Sequence, residues 1–496
     1  MTASRKVIVI GSGFAGLAAA SFMAKEGWEV DIIEKQDTPG GRARQLKDEG
    51  FTFDRGPSFY WMPDVFERYF AQFGKSVPDY YSLHRLDPSY RIYWNDSFTD
   101  LPADFDRLRS FFETTEPGSA ARLDQYLDGA AYKYKVGINN LVYKPGRSLT
   151  EFMDWETVRG VFKLDVFTSI RKHIHKYFRH PRLRQVMEFP VLFLGALPQD
   201  TPALYSLMNY ADMKGGTWYP QGGIYSVVDA MYKLAVELGV RFHFNENVKE
   251  IQVEKGLARK VITDKAVHET SVVISGADYH FTETNLLPSS ARTYTSSYWK
   301  KKVMAPSCLL YYVGLNKKLK NVAHHSLFFD VSFEQHGREI YTTPQWPTDP
   351  LFYVSVPSVS DAGVAPDNCE NLVFLVPVAS GLQGDTEELR EKYFNLIVSR
   401  MEKHTGESIA DFVIYKKSYA VSDFVNDYNS FRGNAYGLAN TLRQTAIFRP
   451  ACHSRKVRNM FFTGQLTVPG PGVPPSLISG EVVARQVVKT FGSKSN

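Results

Sequence analysis

Residues 7–10 read VIVI, and Gly11, Gly13 and Gly16 follow at once in the spacing GxGxxG. A continuous apolar run of that length suits a parallel strand buried on both faces. The next stretch, LAAASFMAKEG, has a helical pattern and stops at Gly27, and a second strand, VDII, runs into Glu34. Strand, glycines, helix, strand and acid in this order predict a βαβ unit that binds a dinucleotide. Gly11 permits the tight turn out of the strand. Gly13 lets the backbone approach a pyrophosphate, and Gly16 lets helix and strand pack closely. The helix start offers free N–H groups and a positive dipole end to the phosphates. Glu34 can accept hydrogen bonds from ribose hydroxyls, and its charge disfavours a 2′-phosphate.

The next residues separate the possible dinucleotides. Lys35 is followed by Pro39-Gly40-Gly41-Arg42-Ala43-Arg44, and then by Phe53-Asp54-Arg55-Gly56-Pro57-Ser58. Gly40 and Gly41 allow close backbone approach, and Arg42 can neutralise a phosphate. This combination resembles the FAD-binding amine oxidase and carotenoid desaturase superfamily. The resemblance implies that Phe14, Ala15 and Lys35 help hold the nucleotide and that Gly56, Pro57 and Ser58 lie near the flavin. Arg44 reads equally well as a solvated charge.

The chain shows two later stretches of the same kind. YPQGGI at 219–224 precedes a helical segment, SVVDAMYKLAVELG, and strands follow near Val240 and Val248. VVISGAD at 272–278 is a buried strand running into Asp278. By the resemblance, Val248 contacts the adenine through its backbone and Asp278 marks a second return to the nucleotide. The tail, MFFTGQLTVPGPGVPPSLISGEVVARQVV, is more specific. Met460-Phe461-Phe462 reads as a strand and Gly464 as a turn. The prolines and glycines of 467–474 exclude helix and central strand, which predicts a helix starting near Ser476. The tail is similar to the C-terminal signature of bacterial-type phytoene desaturases, with Val468 where many members have His. It implies that Gly464, Gly472 and Val473 meet the flavin ring.

The expected fold is α/β: a discontinuous Rossmann-type FAD domain (1–75, 215–290 and 440–496) joined to a substrate domain (76–214 and 291–439) of mixed sheet and helices. Strand-like runs at 308–315, 351–357 and 372–378 suggest a mixed or antiparallel sheet flooring a cavity. Aromatics are 14% of the residues, which suits either an apolar cavity or a rich core.

Residues 152–193 carry apolar positions (Val158, Val161, Phe162, Val166, Phe167, Ile170, Ile174, Phe178) at helical spacing, with Arg159, Lys163, Arg171, Lys172, Lys176 and Arg179 between them. Such a segment can lie in a bilayer interface or cover the substrate domain. The resemblance favours the interface, because a carotenoid is dissolved in the bilayer. The expectation is a cytoplasmic protein held peripherally at the inner face of the membrane. The apolar run at the start is too short for a signal peptide.

A net charge of +5 and the absence of nucleic-acid motifs argue against a nucleic-acid partner. Cys308, Cys369 and Cys452 are widely spaced, and His173, His175 and His180 lack a third ligand at metal spacing, so no metal is expected.

The activity implied is desaturation of an acyclic carotenoid, either phytoene or a 1-hydroxylated one, with hydride passing to flavin N5 and a proton lost from the neighbouring carbon. Oxygen or a quinone would accept the electrons. Carotenoid isomerases and retinol saturases use related chemistry. GDP-dissociation inhibitors use this architecture without a working flavin site. Asp54 is the candidate proton acceptor. Replacing Gly13 and Gly16 with bulky residues is expected to abolish flavin binding; yellow protein purified from that variant would contradict the phosphate-loop reading.

Overall fold

The computed structural model describes residues 5–146, 168–192, 195–441 and 443–492. Lys6–Ile10 forms β1, Phe14–Lys25 forms α1 and Glu29–Ile33 forms β2. β1 is the middle strand of a five-stranded sheet in which every pairing is parallel. On one side of it lie Val272–Ser275 and then Met460–Phe462; on the other lie β2 and then Arg241–His243. One sheet therefore collects strands from stretches more than 400 residues apart.

The period-2 alternation of a strand assigns each face. Val7 and Val9 pack with α1 and the helix Val473–Phe491, while Ile8 and Ile10 pack with Val248, Ile251 and Val261 of a three-stranded antiparallel sheet. α1 is buried continuously from Phe14 to Met23, as a helix apolar on all sides requires. Its small residues admit the C-terminal helix at very short range. A Cβ on Gly480 would stand 2.5 Å from the Ala15 carbonyl oxygen and 2.8 Å from the Ala19 nitrogen.

The second sheet has seven strands in the order Val413–Tyr419, Ser307–Leu315, Glu370–Val378, Phe352–Ser355, His325–Phe328, Tyr90–Tyr93 and Phe98–Leu101. Only His325–Phe328 and Tyr90–Tyr93 pair in parallel. The three runs expected to be strands lie at its heart. The hairpin of residues 90–101 was not anticipated; it joins an edge set by tertiary structure.

Helices Ser119–Val136, Ile170–Tyr177, Pro181–Leu192 and Leu207–Met213 are neighbours of this sheet in sequence. Ile170, Ile174 and Phe178 are fully buried, and the Phe178 ring meets Phe112 and Tyr126 edge-on or tilted. In this part of the basic amphipathic segment, the apolar side faces protein. Val158, Arg159, Val161, Phe162, Lys163, Val166 and Phe167 lie outside the described residues. Among the described residues, no helix is long and apolar enough to cross a membrane.

The tail differs from expectation in one respect. Its helix begins at Val473 rather than near Ser476, with prolines in its first turn. First-turn N–H groups have no intrahelical acceptor, so proline costs nothing there. Gly480→Leu is expected to destabilise the protein by about 1–3 kcal/mol through overpacking against backbone, read as a lower denaturation midpoint.

Candidate active site

β1 ends at Gly11, whose φ of +90° turns the chain under the start of α1. Gly40 donates its N–H to the Ser12 carbonyl at 2.9 Å, and a Cβ on Gly41 would stand 3.4 Å from the Gly13 Cα. Two glycine turns thus lie back to back, with bare backbone facing a cleft. Gly11, Gly13, Phe14 and Ala15 line this cleft, as do Glu34, Lys35, Gly40, Gly41 and Arg42. Gly56 and Pro57 line it from the next turn, Val248 and Asp278 from the later returns, and Gly464, Gly472 and Val473 from the tail.

Two of the expected cofactor residues fall elsewhere. Gly16 sits beneath the cleft, where a Cβ would collide with the Gly11 carbonyl oxygen at 2.0 Å. It permits the helix–strand approach and does not line the cleft. Ser58 points to a second cavity instead.

The polar groups of the cleft are held in place. Glu34 accepts from the Ser12 N–H and hydroxyl, both at 2.8 Å, and from the Gln36 N–H at 3.0 Å. A carboxylate has about four lone-pair sites, so acceptor capacity remains for a ribose hydroxyl. Lys35 donates to the Asn426 carbonyl at 2.9 Å, and burial lowers its pKa. Arg42 donates to Ser430 Oγ at 3.2 Å, and its guanidinium lies over the Tyr428 ring. Its Nε is buried without a partner, and burial lowers its pKa against the pull of Asp278. An unsatisfied cationic donor beside a glycine-lined cleft suits an anionic group such as a pyrophosphate.

Arg44 and Arg55 are tied to Asp427, at 3.3 and 3.1 Å. Arg44 is therefore a buried partner of the Val421–Tyr428 helix, not a solvated charge. Asp278 accepts from the Phe281 and Phe431 N–H groups, at 3.0 and 3.1 Å; burial raises its pKa despite these bonds and Arg42. At the tail, Gly464 donates to Ser479 Oγ at 3.0 Å, which locks the strand end to the final helix. Gly472 (φ +115°) caps the start of that helix, with Val473 and Ser476 on the cleft wall.

Asp54 has a different position from that of a proton acceptor. Its carboxylate accepts from the Ile224 N–H at 2.6 Å and the Tyr225 N–H at 3.1 Å, at the start of the Tyr225–Glu237 helix. It lines neither cavity. It clasps the Gly222–Gly223 turn, where a Cβ on Gly223 would stand 2.5 Å from Asp54 Oδ2.

His243, Glu246 and His268 also converge, with their ligand atoms within 4.8 Å of one another. Their contacts are already internal to the protein. Glu246 accepts from Thr263 Oγ1 at 2.6 Å and meets His268 Nε2 at 2.6 Å, while His243 meets Asp31 at 3.2 Å. The network braces the turn that delivers Val248.

The second cavity has a volume of about 460 Å³. Its walls are mainly apolar and aromatic, including Phe59, Trp61, Phe189, Phe329 and Phe333. Of its charged lining residues, Arg171 and Glu334 pair with each other at 3.6 Å, and Glu334 and Arg338 are exposed, which marks the mouth. Gly56, Pro57, Leu375, Tyr436, Gly472 and Val473 border both cavities, so the cleft and the apolar chamber share a wall. Tyr436, Leu375 and Ser476 were not anticipated. Ser476 stood within the recognised tail and Leu375 within the strand-like run 372–378, whereas Tyr436 belongs to no motif.

A glycine-lined dinucleotide cleft opening onto an apolar chamber defines a class. The chain belongs to the family described as flavin containing amine oxidoreductase, whose model matches residues 14–488. Its cofactor is FAD, and it is an oxidoreductase. Among curated relatives, it is 41% identical to a carotenoid 3,4-desaturase of Haloarcula japonica, over 97% of this chain and 98% of that protein. It is 32% identical to a zeta-carotene-forming phytoene desaturase of Myxococcus xanthus, over 98% of this chain and 94% of that protein. Solved structures share the fold at low identity. A redesigned triple mutant of putrescine oxidase superimposes with a TM-score of 0.64 at 14% identity, covering 98% of this chain and 99% of that one. An oxidoreductase from Methanosarcina mazei gives 0.63 at 16%, covering 97% and 100%.

Loss of water around Asp54 pushes its carboxyl up to about 7, against the pull of its two backbone donors. The unfolded chain releases this proton near pH 4, so the folded state holds the extra proton between those values. Stability then falls as pH rises from about 4 to about 7. Asp54→Asn is expected to flatten that decline, measured as the denaturation midpoint against pH.

Proposed function

We propose that this enzyme introduces double bonds into an acyclic carotenoid. The observation that carries the reading is the shared wall. Pro57, Tyr436, Gly472 and Val473 border the nucleotide cleft on one side and a largely apolar chamber on the other. When bound, FAD supplies a two-electron acceptor for hydride. The chain's contribution is positional. Glycine turns and Arg42 hold the phosphates, and Glu34 holds a ribose. The N-terminus of the final helix brings its positive dipole end to the cleft. Phe59, Trp61 and Phe189 present the hydrocarbon with surfaces that exclude water. The two desaturases named above support the same substrate class.

The further reading places the protein peripherally at the inner face of a membrane, with oxygen or a quinone as final acceptor. Arg171, at the chamber mouth, stands on the Ile170–Tyr177 helix with Lys172 and Lys176. Arg171 itself is paired with Glu188 and Glu334, so the exposed Lys172 and Lys176 are the cations this helix offers to an anionic lipid surface. We assign residues 1–75, 215–290 and 440–496 to cofactor binding, and 76–214 and 291–439 to the substrate and membrane.

The test is anaerobic incubation of flavin-loaded protein with phytoene and, separately, with a 1-hydroxylated acyclic carotenoid. With one of them the flavin absorbance is expected to bleach while the carotenoid spectrum moves to the red. Unchanged spectra with both would remove the proposal.

A further inference from the structure

Desaturation releases a proton as well as a hydride, and Asp54 is not placed to take it. The chamber offers few alternatives. His336 lines it, but both ring nitrogens are engaged: Nε2 lies 2.8 Å from the Pro377 carbonyl, and Nδ1 accepts the Leu351 N–H at 3.0 Å. Glu334 is exposed at the mouth and paired with Arg171. Near the cofactor wall stand Ser58 and Tyr353, both lining residues. Ser58 Oγ is 2.8 Å from Tyr353 Oη, and Tyr353 Oη is 2.6 Å from His325 Nδ1.

His325 lies behind this pair and is fully buried. Its ring stacks on Phe59 at 4.1 Å between centroids, and its Nε2 has no partner. A buried imidazole with an unsatisfied nitrogen is a costly feature for a purely structural residue. The position follows from strand register: His325 pairs with Ser355, so the Tyr353 side chain, two residues away on the same face, reaches diagonally across the ladder.

We propose that Tyr353, backed by His325 and oriented by Ser58, takes the proton released in desaturation. The inference rests on the desaturation reading above. One C–H bond breaks with its electron pair leaving as hydride for the flavin. The neighbouring C–H bond breaks with its pair remaining to form the new C=C bond. Its proton passes to Tyr353 Oη as the phenol's own proton passes to His325 Nδ1. Ser58 donates to Tyr353 Oη and holds the phenol in that orientation. Tyr353 is the catalytic group; Ser58 and His325 are positioning residues that act through it.

The environment suits the task. Burial, and then the neighbouring His324, pull the His325 pKa well below its ordinary value. The ring is therefore neutral, with Nδ1 within hydrogen-bond distance of the phenol. A proton beside an allylic cation is acidic enough to be taken by a weak base, which afterwards releases it readily. The His324 ring lies 4.5 Å from that of His325 between centroids, and its own Nδ1 is 3.0 Å from Oγ of exposed Ser360. Burial lowers the His324 pKa to about 3, with Asp361 opposing. His324 packs edge-on against His325 and reaches Ser360 at the surface, with no hydrogen bond between the two rings.

The experiment is single-turnover reduction of flavin-loaded protein by the carotenoid it converts, in H₂O and D₂O, with wild type, Tyr353→Phe and His325→Gln. Both variants are expected to slow the step about 10²-fold and to lose the solvent isotope effect, with flavin content and melting temperature unchanged. In ¹⁵N-histidine spectra of the loaded protein, one buried ring should show an unprotonated, hydrogen-bonded Nδ1 whose signal shifts in Tyr353→Phe. Wild-type rates in fully loaded variants would overturn the relay alone. Slowing that follows lost flavin or lost stability would reduce these residues to a packing role and overturn it too. A loaded wild type that no carotenoid reduces would overturn the desaturation reading, and the relay with it.

Discussion

A pyrophosphate can be gripped by backbone N–H groups only where the chain comes close without side chains in the way. Much of the architecture serves that condition. The turn at Gly11–Gly13 is closed by the turn at Gly40–Gly41, where Gly40 donates to the Ser12 carbonyl and a Cβ on Gly41 would stand 3.4 Å from the Gly13 Cα. Gly16 brings α1 down on the sheet beneath them, and Gly480 lets the final helix lie against α1. At Gly16 and Gly480 the approach is backbone against backbone, so a methyl group at either position must move main chain.

Charge is organised around the same cleft. Arg42, Arg44 and Arg55 come from two short turns, and Ser430, Asp427 and the rings of Tyr428 and Tyr419 receive them. Two guanidiniums are ion-paired to Asp427 within the protein, and Arg42, the one that lines the cleft, has no such carboxylate pair among the described residues. Partnered cations build the wall, and the remaining donor is the one suited to an incoming anion.

The opening βαβ unit was legible because its determinants are local: an apolar run, three glycines and an acid at fixed spacing. The Val473 helix start was misread because its prolines were taken only as breakers, although the first turn tolerates them. Asp54 was misread for the opposite reason. A carboxylate near a flavin motif suggests chemistry, yet its partners are N–H groups about 170 residues away. Ser58 belongs to the recognised turn but points to the other cavity. Phe189, Phe333 and Tyr436 converge through tertiary packing, and Tyr353 meets His325 through strand register. Neither relation leaves a trace in a linear pattern.

The parallel sheet takes its edge strand from Met460–Phe462, and the cleft takes one wall from residues 464–476. Both are made long after the opening βαβ unit during translation. A ribosome that has released the glycine loop must add more than 400 further residues before the flavin's binding surface is complete. Until then β1 is next to Val272–Ser275 with no third strand beyond it, and the apolar chamber lacks part of its lid. Completion of the cofactor cleft is therefore a late event in biogenesis.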